Sequence, residues 1–223
     1  MIRLFCGFDN RESIGSYVFA HSVVSRASEP VQITFLHENG LPTGTNSFTV
    51  SRFLVPYFLN FQGKAIFADG ADMICQADIA ELVWQMQDMT EAVKVVKHEY
   101  KTKHPIKYLG TELESPNIDY PRKNWASLML INCDHPAWRN VKPEILKEKS
   151  TLDCLQFEFL LDSEIGEILN PAWNTLVDEG QPVEGAKILH WTAGIPGFKH
   201  YADAPGAELW WEECRRMTYP LPT

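Results

Sequence analysis

The stretch 64–75, KAIFADGADMIC, restricts the fold of this chain more than any other. Lys64 to Ala68 reads as a strand buried on both faces, and its end carries two carboxylates, Asp69 and Asp72. Short continuous apolar runs of this kind belong in parallel sheets with both faces covered. The surrounding pattern agrees. Met1 to Phe8 reads as a first strand closed by Gly7, and Val31 to Leu36 as a second. Residues 12–26 read as a helix, with Ile14, Tyr17, Val18, His21 and Val24 at helical spacing. Residues 77–86 suggest another helix, 92–97 another strand, and 49–59 a helix that Pro56 must kink or shorten. Strands alternating with helices predict an α/β fold with a mostly parallel central sheet flanked by helices. Ligands in such sheets bind beyond the carboxyl ends of the strands, where Asp9 and Asp69 both fall.

The second half is less regular. Residues 98–123 form a polar, Pro-containing stretch that reads as a long loop or flap, and SLMLIN (Ser127 to Asn132) is an apolar strand. Residues 143–166 give mixed helical signals, and 180–206 combine Gly and Pro with the apolar strand AKILHW. With no repeat, low-complexity tract or linker, residues 1–223 read as one domain with an irregular C-terminal portion.

At 223 residues the chain needs no staples to fold, since a chain this long buries roughly 70% of the surface it exposes when unfolded. Twenty Lys and Arg against 29 Asp and Glu give a net charge of −9. That argues against broad, non-specific nucleic-acid binding, which relies on phosphate neutralisation, but not against a local basic groove. Cys6, Cys75, Cys133, Cys154 and Cys214 make no C-x-x-C pair and no zinc spacing. They read as mostly buried free thiols of a reducing compartment. The start MIRLFCGFD turns polar too soon for a signal peptide, and no apolar run reaches membrane-span length. The expectation is a cytoplasmic protein.

Four segments could carry chemistry. Asp69 and Asp72 offer hard oxygens to a divalent cation, with Gly70 permitting the turn that aims both inward; the same residues equally suit a surface turn. His190, ending an apolar strand before a Gly and Pro loop, is a candidate third ligand, although a lone His there is more often structural. Arg52 could reach a diphosphate with its forked donors or lie exposed on its helix. Tyr120-Pro121-Arg122-Lys123-Asn124-Trp125 suits sugar and phosphate contacts, or an ordered loop packed by its Trp.

Taken together and in order, these segments resemble glycosyltransferase family 8 and its small bacterial and phage relatives, from FCGFDN to HWTAGIPGF. The resemblance implies a GT-A fold and a nucleotide-sugar donor, commonly UDP-linked. It also implies Mn2+ (or Mg2+) and transfer with retention to an acceptor that is a glycan, a small molecule or nucleic acid. By the same resemblance, Gly7, Phe8, Asp9 and Asn10 contact the nucleotide base, and Arg52 touches the donor. The family's D-x-D is one residue longer here. That favours Asp72 and His190 as metal ligands and gives Asp69 the ribose or a shared ligand position. NWASLMLIN resembles the donor-sugar pocket, implicating Asn124, Trp125, Ala126 and Ser127. LLDSEIGEILNPAWN resembles the region of the acidic residue beside the anomeric carbon, which makes Asp162 and Glu164 catalytic candidates and Asp153 a weaker one. HWTAGIPGF resembles H-x-x-G-x-x-K-P-W with Gly194 shifted and the Lys missing, so that Lys199 is the substitute on the diphosphate.

Three competing readings remain. A sugar-nucleotide nucleotidyltransferase would need a Gly-rich, basic loop after the first strand, and FCGFDNRE holds one Gly and one Arg. A glycosyltransferase acting on a nucleic-acid base sits poorly with the negative charge. A non-catalytic nucleotide-sugar-binding module is compatible with the irregular aspartate spacing.

Overall fold

The computed structural model describes residues 1–37, 40–42 and 44–218. Glu38, Asn39 and Thr43 lie outside the described residues, as do 219–223. The chain opens with β1 (Ile2–Gly7), α1 (Ser13–Val24) and β2 (Val31–Leu36), followed by α2 (Val55–Phe58), β3 (Lys64–Ala68), β4 (Met73–Cys75) and α3 (Ala80–Trp84). Next come β5 (Val93–Val95), β6 (Ile106–Lys107), β7 (Ser115–Pro116) and β8 (Leu128–Asn132). The last third holds α4 (Pro143–Leu146), α5 (Thr151–Leu155), β9 (Ile165–Glu167), β10 (Thr175–Leu176), β11 (Ile188–His190) and α6 (Ala207–Thr218).

Six strands form the central sheet in the order β2-β1-β3-β8-β5-β9. β8 runs antiparallel to its neighbours β3 and β5, while the β1–β2, β1–β3 and β5–β9 pairs are parallel. Both faces are covered, which accounts for the continuous apolar runs. Along β3, Ala65 and Phe67 join one core cluster with Phe53, Trp138 and Phe157, whereas Ile66 and Ala68 join the other with Phe19, Val23 and Ile79. Successive strand side chains point to opposite faces, so every residue of such a strand must be apolar.

Several expected elements are shorter than their patterns. The helix expected over 49–59 is a 3-10 turn, Ser51–Leu54, followed by α2, with Pro56 in the first turn of α2, where a missing N–H costs nothing. The segment 98–123 is not all loop, because β6 and β7 pair as a short antiparallel ladder.

The face of α1 is a correction. Of the expected face Val18 is buried, but Ile14, Tyr17 and Val24 are exposed, and the helix buries Gly15, Ser16, Phe19, Ser22 and Val23 beside Val18. The reason is close approach. Ser16 Oγ donates to Gly7 O at 3.0 Å, and Ser22 Oγ accepts from Cys75 N at 2.9 Å. A Cβ on Gly15 would lie 1.7 Å from Ala71 O. Small residues let this helix press its backbone against the turn that carries Asp69 and Asp72. A smaller sheet, β10-β11-β4, lies beside that turn, and no described helix is long and apolar enough to cross a membrane.

Candidate metal and donor site

β3 ends directly in Asp69. Gly70 makes the turn at φ +68°, and a Cβ there would lie 2.2 Å from Cys6 Sγ, so both backbone and space demand glycine. Asp69 N donates to Ser127 O at 2.8 Å, and the chain re-enters as β4 immediately after Asp72. β11 pairs antiparallel with β4, placing His190 opposite Met73, and Trp191 N donates to Asp72 O at 2.9 Å. This ladder sets His190 Nε2 3.3 Å from Asp72 Oδ2. Asp69, Asp72 and His190 each offer one ligand atom, all within 4.8 Å of one another.

A second layer orients the imidazole. Ser127 Oγ donates to Asn124 O at 2.7 Å and therefore accepts from Asn174 Nδ2 at 2.8 Å. That turns Asn174 Oδ1 toward His190 Nδ1, 2.9 Å away, so Nδ1 carries a proton and Nε2 faces the carboxylates. Burial alone would lower the His190 pKa, but Asp72, its hydrogen bond and Asp69 outweigh it and the net shift is upward. Burial would raise Asp72, and the facing His190 reverses that, leaving it lowered. Asp69 is pushed up to about 6 by burial, against the opposing charge of Arg52.

The donor set fits a divalent cation: two carboxylates and an imidazole, with Asp72 Oδ1 buried and without a hydrogen-bond partner among the described residues. Replacing Asn174 with Ala is expected to weaken the affinity for a divalent cation about 10–100-fold by releasing the imidazole, as titrations with Mn2+ and Mg2+ would read.

The site opens into a cleft of about 280 Å³. Arg52, Asn124, Ala126 and Ser127 line it, with Lys107, Tyr108 and Lys123 from the 98–123 segment and Leu152 and Leu155 from α5. Arg52 is buried rather than exposed. It donates to Thr49 O (2.8 Å) and Ala126 O (2.9 Å) and lies against the rings of Phe48 and Phe67. Its Nη1 is 2.6 Å from Asp69 Oδ1, close enough for an ion pair though off-line for a hydrogen bond. Asn124 sits at φ +61°, a conformation Asn tolerates, and its amide donates to Tyr100 Oη at 2.7 Å. Trp125 does not line the cleft; Lys97 and Arg122 flank its ring, and its Nε1 donates to His98 O at 3.0 Å.

Asp9 and Asn10 line an adjoining hollow with Arg11, His37 and Ser47, and this hollow shares Gly44 and Thr45 with the cleft. Asp9 is engaged by Arg11 Nε (2.9 Å), Arg11 Nη2 (2.6 Å) and Ser47 N (2.9 Å). These contacts outweigh burial and hold its carboxyl well below the usual range. Gly7 lies beneath, where a Cβ would meet the Phe48 ring, and Phe8 packs edge-on against Tyr17.

Five further expected site residues lie elsewhere. The Asp162 side chain is 90% exposed and pairs with Arg122, while Glu164 accepts from Leu161 N at 2.8 Å in the turn before β9. Lys199 is exposed beside a separate hollow with Asp178 and Tyr201, and Gly194 packs under the Tyr201 ring. The segment after His190 folds away from the cleft, which leaves Lys199 outside it. Asp153 is taken up in a capping box with Ser150.

Glu12, Asn174 and Lys107 are the residues that sequence reasoning missed. Glu12 is 1% exposed, bonded to Asn46 Nδ2 through one oxygen and unpartnered at the other. Burial first, then the charges of Asp72 and Asp9, raise its pKa well above the ordinary value. A raised carboxyl pKa favours the fold below the unfolded-state pKa, and that benefit is lost as pH rises. Glu12→Gln is therefore expected to raise stability by roughly 1–3 kcal/mol at pH 8 and little at pH 4, read as thermal midpoints without added metal.

No family model matches the chain. Among solved structures, it resembles the apo form of the bifunctional glycosyltransferase WbbM, with TM-score 0.70 and 14% identity over 96% of this chain and 49% of that one. It resembles the glycosyltransferase GlyE of Streptococcus pneumoniae TIGR4 at TM-score 0.65 and 14% identity, covering 96% of this chain and 60% of that one. The galactosyltransferase LgtC, in complex with donor and acceptor sugar analogues, matches at TM-score 0.64 and 14% identity over 99% of this chain and 98% of its own. The chain thus spans about half of WbbM and most of LgtC. Identities this low establish the fold, which is the mixed α/β GT-A architecture. Protein CDI of Arabidopsis thaliana is 36% identical over 228 residues, covering 95% of this chain and 85% of that protein. The chain belongs to the family of Protein CDI.

Proposed function

We propose that this protein is a metal-dependent glycosyltransferase that takes a sugar from a nucleotide-sugar, with a UDP-sugar and Mn2+ as the first pair to test. The observation that carries this reading is the convergence of Asp69, Asp72 and His190 at the carboxyl end of the central strand, inside a cleft. WbbM, GlyE and LgtC are glycosyltransferases that share the fold, which supports the same assignment.

In this reading, Asp72 and His190 hold the cation and Asp69 shares it or binds the ribose. A divalent cation bound there supplies Lewis-acid charge beside the departing diphosphate. Arg52, anchored on two backbone carbonyls, fixes Asp69 and adds positive potential at the same end of the cleft. Asn124, Ala126 and Ser127 form the wall facing the donor sugar, and the hollow at Asp9 and Asn10 receives the base.

Asp69 and Asp72 are the carboxylates among the described cleft-lining residues, and both are committed to the cation end. We therefore favour retention by front-face attack, in which the acceptor's proton passes to the leaving phosphate. Asp162 and Glu164, outside the cleft, have no role in it. The test is a thermal-shift panel of nucleotide-sugars with and without Mn2+. A ligand that binds only the native state raises the midpoint, and a concentration 100 times its Kd is worth about 2.7 kcal/mol. A rise that requires Mn2+ supports the reading, and no rise with any nucleotide-sugar refutes it.

A further inference from the structure

Among the described residues, three Lys and Arg side chains line the cleft: Arg52, Lys107 and Lys123. Two are fully engaged by the protein. Arg52 is held by Thr49 O, Ala126 O and Asp69. Lys123 Nζ donates to Asn117 Oδ1 (2.7 Å), Ile118 O (3.0 Å) and Asp119 (3.4 Å), which makes it the internal brace of its loop. Lys107 differs. Its ammonium makes no ion pair and no hydrogen bond among the described residues, although it is half-buried and lines the same cleft.

The root of Lys107 is nonetheless fixed. It lies on β6 opposite Ser115 of β7, and the next residue, Tyr108, is 2% exposed. Tyr108 N donates to Ala193 O at 2.6 Å, and its hydroxyl accepts from Asn46 Nδ2 at 3.2 Å. The backbone on both sides of Lys107 is therefore held while its charge is left unspent. That charge opposes the upward push of burial on Asp69, whose carboxyl stays raised, and adds to His190 in holding Asp72 down; it also acts on Lys123. Lys107 thus lines the same cleft as Asp69, Asp72 and His190, on the β6–β7 ladder rather than on the segments that anchor Arg52. A partly desolvated ammonium with no partner is costly unless an anion completes it. Phosphate oxygens, which take Lys as a point-charge donor, match that need beside a bound cation.

We propose that Lys107 is the cation that grips the donor's diphosphate, a role Lys199 is too remote to play. This rests on the nucleotide-sugar reading above. The β6–β7 hairpin is then the wall that closes the phosphate end of the site. With the donor bound, Lys107 Nζ donates to a diphosphate oxygen.

The experiment is calorimetric titration of UDP and of uridine, each with saturating Mn2+, into wild type, Lys107→Met, Lys107→Arg and Lys199→Met. Lys107→Met is expected to weaken UDP about 10–100-fold, in line with loss of one charge-assisted hydrogen bond. It should leave uridine unchanged, Lys107→Arg should recover most of the loss, and Lys199→Met should match wild type. If wild type binds UDP and Lys107→Met binds it equally well, the assignment of Lys107 falls and the donor reading stands. An equal loss of UDP and uridine in Lys107→Met also overturns it, because that pattern marks damage to the cleft rather than a phosphate contact. If wild type binds no UDP, and no GDP, ADP or CDP in the same format, the donor reading falls and takes this assignment with it.

Discussion

Asp72→Ala should reduce glycosyl transfer, or hydrolysis of the donor, by about 10³-fold or more while leaving the protein folded. The size follows from losing a ligand of the cation that balances the leaving group's charge. Survival of the fold follows from the local contacts. The Asp72 carboxyl leaves Oδ1 without a hydrogen-bond partner among the described residues and faces His190 through Oδ2, so truncation removes one ion pair while Asn174 Oδ1 still holds the imidazole at Nδ1. The backbone carbonyl that accepts from Trp191 N remains. The thermal midpoint should stay within a few degrees of wild type, and the Mn2+-dependent rise should vanish. Asp162→Ala and Glu164→Ala, both outside the cleft, should retain activity within about two-fold, since surface changes of this kind seldom matter. A competent Asp72→Ala enzyme would remove the metal from the account, and an inactive, folded Asp162→Ala enzyme would restore the double-displacement route.

Gly15→Ala should be the most destabilising small substitution in the chain. Its Cβ would lie 1.7 Å from the Ala71 carbonyl oxygen, and neither partner is a side-chain tip that can swing away. Relief requires α1 to lift from the turn that carries Asp69 and Asp72, breaking the Ser16–Gly7 and Ser22–Cys75 hydrogen bonds. Overpacking of this severity is expected to cost about 3 kcal/mol or more, a fall of roughly 6–12 °C in thermal midpoint at this chain length. The turn should shift with the helix, so Mn2+ binding should weaken as well. Gly185→Ala is the comparison: its φ is +79°, but a Cβ there meets nothing within 4 Å. Only conformational strain opposes it, at about 1 kcal/mol. Equal midpoints for the two variants would contradict the packing described for α1.

The central strands were readable because both their faces are buried, so Ile66, Phe67 and Ala68 had to form an unbroken apolar run. The inward face of α1 was not. Apolar Ile14, Tyr17 and Val24 point to solvent, and the contact surface is made of Gly15, Ser16 and Ser22, whose value is small size and hydrogen bonding rather than hydropathy. At the site, Asp69 and Asp72 were visible as a local pattern. Their approach to His190 depends on the β4–β11 register, which hydropathy does not encode. The acidic pair Asp162 and Glu164 lies outside the cleft for a similar reason. Motif order put them near the chemistry, yet one reaches out to Arg122 and the other caps its own turn. Asn174 and Glu12 end two of the quoted segments without standing out in either, and Lys107 lies in none; their meaning lies in partners held, or left unmet, across the fold.

The central claim is a divalent cation on Asp69, Asp72 and His190 that enables sugar release from a nucleotide. The direct measurement is turnover of a panel of nucleotide-sugars, followed as free nucleotide diphosphate, after chelation and again after adding Mn2+ back. The account predicts turnover of at least one donor that is abolished by the chelator, restored by Mn2+, and not restored in Asp72→Ala. Full turnover in the chelator, or equal rescue of Asp72→Ala by Mn2+, would contradict it.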